Sequence, residues 1–184
     1  YAMLSNDTFT CITAPEHGSI GVYFDPQGQT CSGTIPGGSV GKVYVMAKLA
    51  GGTAAGIAGA QFRFTGAPSA WELYAVPNPA ILSLGDPFVD GVVAGFECQE
   101  GAESLVLLYT VVVLAHETVN DVRFEIGERV PTLTAPCPML IACDDPVFTK
   151  FCVEGLSCYV NATASTPCAK GLAVETATWS SVKA

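Results

Sequence analysis

The sequence predicts an all-β protein, an antiparallel β-sandwich carrying a disulfide-rich C-terminal appendage. Three observations predict it. Apolar and polar residues alternate with period two in four separate segments, turn-forming residues separate those segments, and five of eight cysteines fall between residues 137 and 168.

The alternation comes first because it assigns faces. In Lys42 to Leu49, Val43, Val45, Ala47 and Leu49 point one way and Lys42, Tyr44, Met46 and Lys48 the other. In "AQFRFTG", Phe62 and Phe64 oppose Gln61, Arg63 and Thr65. In "DVRFEIGE", Val122, Phe124 and Ile126 oppose Asp121, Arg123 and Glu125. "SIGVYFD" sets Ile20, Val22 and Phe24 on one face. The run Leu105 to Ala115, with three consecutive valines, reads as a buried strand and is about half the length of a membrane helix. Trp71 is expected in the core beside Leu73.

Between these segments lie "DPQGQ", "IPGGS", "AGGTAAG", "VPNPA", "LGDPFVDG" and "CDDP". Their Gly, Pro, Asn and Asp residues preset turn dihedrals or tolerate positive φ. No stretch is periodic enough for a long helix. The predicted organisation is an extended segment over 1–16, a sandwich over 17–130 and a Cys-rich extension over 131–184. The ends, "YAMLSNDTFTC" and "GLAVETATWSSVKA", read as extended, and the second of them alternates.

At "GIAGAQFRFTGAPSAWEL" the chain resembles the cohesin-like modules of secreted bacterial proteins. Gly56, Ile57, Gly59, Phe62 and Phe64 match a strand of the type Gly-apolar-x-Gly-x-x-Phe-x-apolar, and "APSAWEL" stands where the following turn would be. The likeness spans about residues 38–130. The chain also resembles secreted bacterial proteins with Cys-rich ends and a terminal "TW…VKA" segment. These resemblances imply a sandwich fold and an extracellular or cell-surface location. Eight cysteines are a departure from ordinary cohesins.

Composition excludes several functions. A formal net charge of −9, with eight basic residues and no two adjacent, argues against nucleic acid and against anionic membrane surfaces. The start "YAML" reads as that of a processed chain, with no signal-peptide pattern. The spacings within the cysteine cluster are x5, x8, x5 and x9, without the close pairs of a zinc site, and both histidines, His17 and His116, lie outside it. All eight cysteines (Cys11, Cys31, Cys98, Cys137, Cys143, Cys152, Cys158 and Cys168) are therefore expected in disulfides. Cys137–Cys143 and Cys152–Cys158 are the local possibilities, and Cys168 then reaches Cys11, Cys31 or Cys98.

There is no G-x-S-x-G elbow, and His17 and His116 read as turn and strand-end residues, so no enzyme is expected. Asp86 and Asp90, or Asp144 and Asp145, offer hard oxygen ligands of the kind calcium takes, but these acids also suit ordinary turns, so no metal or other cofactor is expected. Two N-x-S/T sequons, at Asn6 and Asn161, are candidate glycosylation sites, with Asn161 the better placed. The function these features suggest is a non-enzymatic secreted structural protein. It would be a subunit that self-assembles through terminal strands into a filament, tube or surface layer. The alternative is a cohesin-like adhesive module that binds protein or carbohydrate.

Overall fold

A computed structural model describes residues 15–100, 105–130, 136–144 and 147–163. These residues form thirteen strands and two single turns of 3-10 helix, Pro15–His17 and Gly51–Thr53. In chain order the strands are β1 (Gly18–Tyr23), β2 (Ser32–Gly33), β3 (Ser39–Leu49), β4 (Ile57–Thr65), β5 (Trp71–Pro77), β6 (Leu82–Asp86) and β7 (Gly91–Gln99). They continue as β8 (Leu105–Ala115), β9 (Val122–Gly127), β10 (Met139–Ala142), β11 (Lys150–Cys152), β12 (Glu154–Leu156) and β13 (Cys158–Val160).

Two sheets face each other. The back sheet runs β12-β1-β3-β8-β5. The front sheet runs β11-β10-β4-β9-β13-β2, with β7 paired to the other flank of β4 and β6 paired to β7. One flank of β4 serves two partners: β10 pairs with the half from Ile57 to Gln61 and β9 with the half from Arg63 to Thr65. The sequence expectation of a sandwich therefore holds. The described part of the Cys-rich extension is hydrogen-bonded into both sheets, because β12 lies parallel to β1 while β10 and β13 join the front sheet.

The period-two faces meet in one core. Val43, Val45, Phe62, Phe124 and Val113 are at most 1% exposed. The interlock between sheets is aromatic. Phe62 of the front sheet meets Tyr109 of the back sheet edge-on at 5.7 Å, and Trp71 of the back sheet meets Phe124 at 6.1 Å. Phe64 fills the space beside Phe124 at 5.0 Å. Such pairs add about 0.5–1.5 kcal/mol each beyond area burial. The polar ends of the rings are satisfied, with Trp71 Nε1 donating to Glu117 O at 2.8 Å and Tyr109 hydroxyl bonded to Ser83.

The disulfides differ from the local pairings the spacing suggests. Cys98 pairs with Cys143 and Cys137 with Cys152. Between Cys137 and Cys143 the chain runs as strand β10, which carries them apart by on the order of 15–20 Å, while a bridge needs Cα atoms within about 7 Å. Antiparallel pairing instead sets Met139 opposite Cys152 and brings Cys137 alongside. Cys31 is also disulfide-bonded. Cys158 departs from the expectation that every cysteine is bridged. It is a free thiol with no exposed surface, turned into the core from β13, whereas Cys152 is bound to Cys137 in β11. Burial pushes the Cys158 thiol up to about 12. Cys11 and Cys168, Asn6 and both terminal segments expected to be extended lie outside the described residues.

Asn161 has a structural task. It sits at φ 51°, a left-handed conformation that Asn tolerates better than most residues. Its Nδ2 donates to Ile35 O at 2.9 Å and Val119 O at 2.8 Å, and its Oδ1 accepts from Ile35 N–H at 2.8 Å. One amide thus ties together three loops that β-pairing does not reach. A glycan on Nδ2 would replace one of the two hydrogens already used.

Asn161→Ala leaves backbone groups at Ile35 and Val119 without partners, and is expected to cost about 1–3 kcal/mol in urea unfolding. In iodoacetamide labelling at pH 8 followed by peptide mapping, Cys158 is expected to stay unlabelled in the native protein and to label once denatured, because thiolate is scarce and access closed.

Candidate functional site

The open sheet faces carry the features that a function could use. On the front sheet the strand period fixes which side chains look outward. Phe62 and Phe64 of β4, Val92 and Ala94 of β7 and Ser83 of β6 turn toward the core. Their neighbours therefore face out. Register places Leu84 beside Val93 and Val93 beside Gln61, while Leu82, Gly95 and Gly59 form the adjacent row.

The two leucines are 73% and 65% exposed, unusual for large aliphatic side chains on a paired strand. Beside them Gly95 has open space where a Cβ would stand, so the sheet has a bare, shallow floor there. Val89, in the turn joining β6 and β7, extends the apolar strip and is also exposed.

The next row is basic. Asp86 pairs with Gly91, and a Cβ on Gly91 would lie 3.1 Å from both Arg63 Cβ and Arg129 Cγ, so the two arginine stems flank this glycine. Gly91 has φ +89° and close approach of Phe62 O, which together leave no room for a side chain. Arg129 is held there by its neighbour, since Val130 N–H donates to Asp90 O at 2.8 Å. Neither guanidinium forms an ion pair among the described residues, and the Nε of each is buried without a partner. Arg123 is different: it pairs with Glu125 at 2.9 Å, donates to Ser157 and lies over the Tyr159 ring. Asp86 and Asp90 border the same glycine, yet neither is ion-paired to Arg63 or Arg129 among the described residues.

The residues singled out from sequence lie elsewhere. His17 Nδ1 accepts from Gly52 N–H and its ring packs on Phe151 at 4.4 Å, which fixes the two 3-10 turns together. His116 bonds Glu72 at 3.0 Å on the exposed back sheet, where Tyr74 hydroxyl donates to the same carboxylate at 2.7 Å. The Tyr74 hydrogen bond and then His116 hold Glu72 below the usual carboxylate range. No nucleophile accompanies this cluster among the described residues.

Asp86 Oδ1 accepts from Phe88 N–H, and the Asp144 carboxylate caps Thr149 through its hydroxyl and its N–H, bonds that hold Asp144 below its ordinary value. Both are turn caps, and among the described residues no group of three or more His, Cys, Asp or Glu side chains could hold a metal ion. Sequence reasoning misses the Leu82–Leu84 strip because "AILSLGD" is short and sits among turn signals. Its one legible trace is the alternation Leu82-Ser83-Leu84.

No family model matches the chain, and no curated protein matches it. Solved structures do. The seventh type I cohesin of ScaB from Pseudobacteroides cellulosolvens is similar at 12% identity, with 82% of this chain and 95% of that chain covered and a TM-score of 0.53. A structure described as a complex of a CaDoc0917 variant with CaCohA2 is similar at 8% identity, with 79% and 99% covered and a TM-score of 0.51. The cohesin module of a family 33 glycoside hydrolase from Clostridium perfringens is similar at 13% identity, with 80% and 98% covered and a TM-score of 0.49. At these identities the likeness concerns the fold: the chain is a cohesin-like β-sandwich.

Proposed function

We propose that this chain is a non-enzymatic protein-binding module of the extracellular space or cell surface, docking its partner on the outer face of β6, β7, β4 and β9. The observation that carries the reading is the strip of Leu82, Leu84 and Val93 lying against Arg63 and Arg129, which have no ion-pair partner among the described residues. An apolar centre with guanidinium groups at its border is the composition of protein interfaces, where exposed aliphatic surface gains most from being covered. The partner suited to this face presents an apolar patch with carboxylates along one margin. Carbohydrate is a poorer match, since no aromatic ring lies open on this face for sugar stacking among the described residues. Trp71 is 5% exposed, and Tyr159 is stacked by Arg123. A structural neighbour solved as a two-protein complex fits the same reading. The disulfides suit an oxidising compartment.

A second reading, a self-assembling subunit of an extracellular filament, tube or surface layer, is favoured by one separate observation: among the described residues β5 forms an open edge of the back sheet, with Tyr74 and Val76 more than half exposed.

The test is capture of partners from the extracellular fraction of the source organism on immobilised protein, followed by titration of the captured partner. Leu84→Glu and Arg63→Glu are each expected to weaken binding by roughly 30-fold or more, the scale of an interface hot spot. Lys42→Glu, on the back sheet, is expected to leave it unchanged. A partner held equally well by all three variants would show that the front face is not the docking site.

A further inference from the structure

The edges of the two sheets are not equally guarded. An unpaired edge strand invites pairing with another chain, and folded proteins blunt such edges with short strands, Lys, Pro or bulges. Here β2 has two residues and β11 and β12 have three each, with Lys150 on β11. The five-residue edge β6 contains Gly85 at φ +100° and ends in Asp86. Only β5, among the described edges, is long and unguarded. It runs seven residues in unbroken register with β8, contains no Lys or Arg, and keeps its single proline, Pro77, for the last position.

The hydrogen-bond parity of β5 is fixed by its two ends. His116 N–H donates to Ala70 O, and Asn78 N–H donates to Leu108 O. Even-numbered residues of β5 therefore bond β8, and odd-numbered ones direct their N–H and C=O toward the open side. This explains how Pro77 is tolerated, since its missing donor faces outward and not β8. Among the described residues it also leaves Leu73 and Ala75 with free donors and acceptors, while Trp71 N–H is taken by Pro68 O at 3.0 Å.

We propose that β5 is a self-pairing edge, so that two copies of this chain join β5 to β5 in antiparallel fashion and make one ten-stranded back sheet. A two-fold axis at Tyr74 overlaps all seven residues. It sets Leu73 of each copy opposite Ala75 of the other, which exchanges four N–H···O bonds and uses every free donor of both edges. It brings the two positions without an available donor, Trp71 and Pro77, opposite each other. On the outer face Tyr74 meets Tyr74 of the second copy, and Glu72 meets Val76, so the like charges of the two chains do not oppose. The outward side chains at this seam are open in the single chain, Tyr74 at 56% and Val76 at 52%, with Glu72 also exposed.

The β5 interface rests on the assembling reading and gives it a specific contact, independent of the front face. Sedimentation velocity of the disulfide-intact full chain, over a range of concentrations, is the test. The wild type is expected to reach twice the 19.1 kDa chain mass or a larger multiple of it, with slowed hydrogen exchange at the Leu73 and Ala75 amides. Tyr74→Lys, which places two ammonium groups face to face at an already exposed position, is expected to raise the dissociation constant about 10-fold or more. Ala75→Pro removes one of the two free donors and is expected to act in the same direction. Should Ala75→Pro not fold, the exposed Tyr74 substitution still decides the matter. Val147→Lys, in the exposed β10–β11 turn, is expected to leave the mass unchanged. A wild type that stays monomeric at all concentrations overturns both the assembling reading and this interface. An assembly whose mass survives Tyr74→Lys with a native circular dichroism spectrum overturns the β5 interface alone.

Discussion

The inward stacking of Phe62, Phe64 and Phe124 is the constraint on which the rest of the structure depends. These three rings meet Tyr109 and Trp71 from the opposite sheet, and the five together occupy the centre of the sandwich. A strand has only two faces, so a one-residue slip of β4 would turn Phe62 and Phe64 into water and Gln61 and Arg63 into the core. The register that buries the rings is therefore the register that displays Gln61 and Arg63. Pairing propagates this choice sideways, from Gln61 to Val93 to Leu84. The composition of the front face is a by-product of core packing on three strands, fixed before any partner is considered.

The two described disulfides act on the same strand from the side. Cys98 at the end of β7 and Cys143 after β10 meet beside Gly56, whose Cβ position lies 3.1 Å and 3.2 Å from the two sulfurs. β4 is thus clamped between β7 and β10 where its own hydrogen-bonding is irregular, since register shifts occur on both flanks near Ile57 and Ile141. Cys137–Cys152 then closes the β10–β11 hairpin, a loop of 15 residues for which chain entropy alone contributes about 3 kcal/mol. Among the described residues no front-sheet pairing is as long as the β3–β8 ladder of the back sheet, and covalent links tie the front sheet at that end.

What the sequence discloses is local, and what it hides is pairwise. Alternation in Lys42 to Leu49 and in "DVRFEIGE" puts the right side chains inward, and the run of Leu105 to Ala115 coincides with β8, because period two is written in consecutive residues. Cysteine partners are not written that way. The x5 spacing suggests loops, but the strand between Cys137 and Cys143 forbids one, and only the fold shows that Cys98 is near. The tripeptide at Asn161 has the pattern of a sugar acceptor, yet its amide bonds residues 126 and 42 positions distant. The arginine pair is equally invisible, because Arg63 and Arg129 converge only once Gly91 lies between them.

The front face and the β5 edge use different physics, and this bears on what one molecule can do. The front face offers side chains, so its selectivity depends on shape and charge and one partner can be told from another. The β5 edge offers backbone, which any extended strand can meet, so selection there must come from symmetry and from the few outward residues Glu72, Tyr74 and Val76. The two lie on opposite sheets, joined by the β5–β6 connection at one side of the sandwich. Pairing through β5 covers none of Leu84, Val93, Arg63 or Arg129. A dimer formed in this way would keep both front faces open and related by a two-fold axis, so a partner with two suitable patches would be held at both. Avidity from such an arrangement exceeds either single contact by orders of magnitude when the geometry allows simultaneous engagement. In the proposed arrangement the backbone edge would set the spacing and the side-chain face would set the choice of partner.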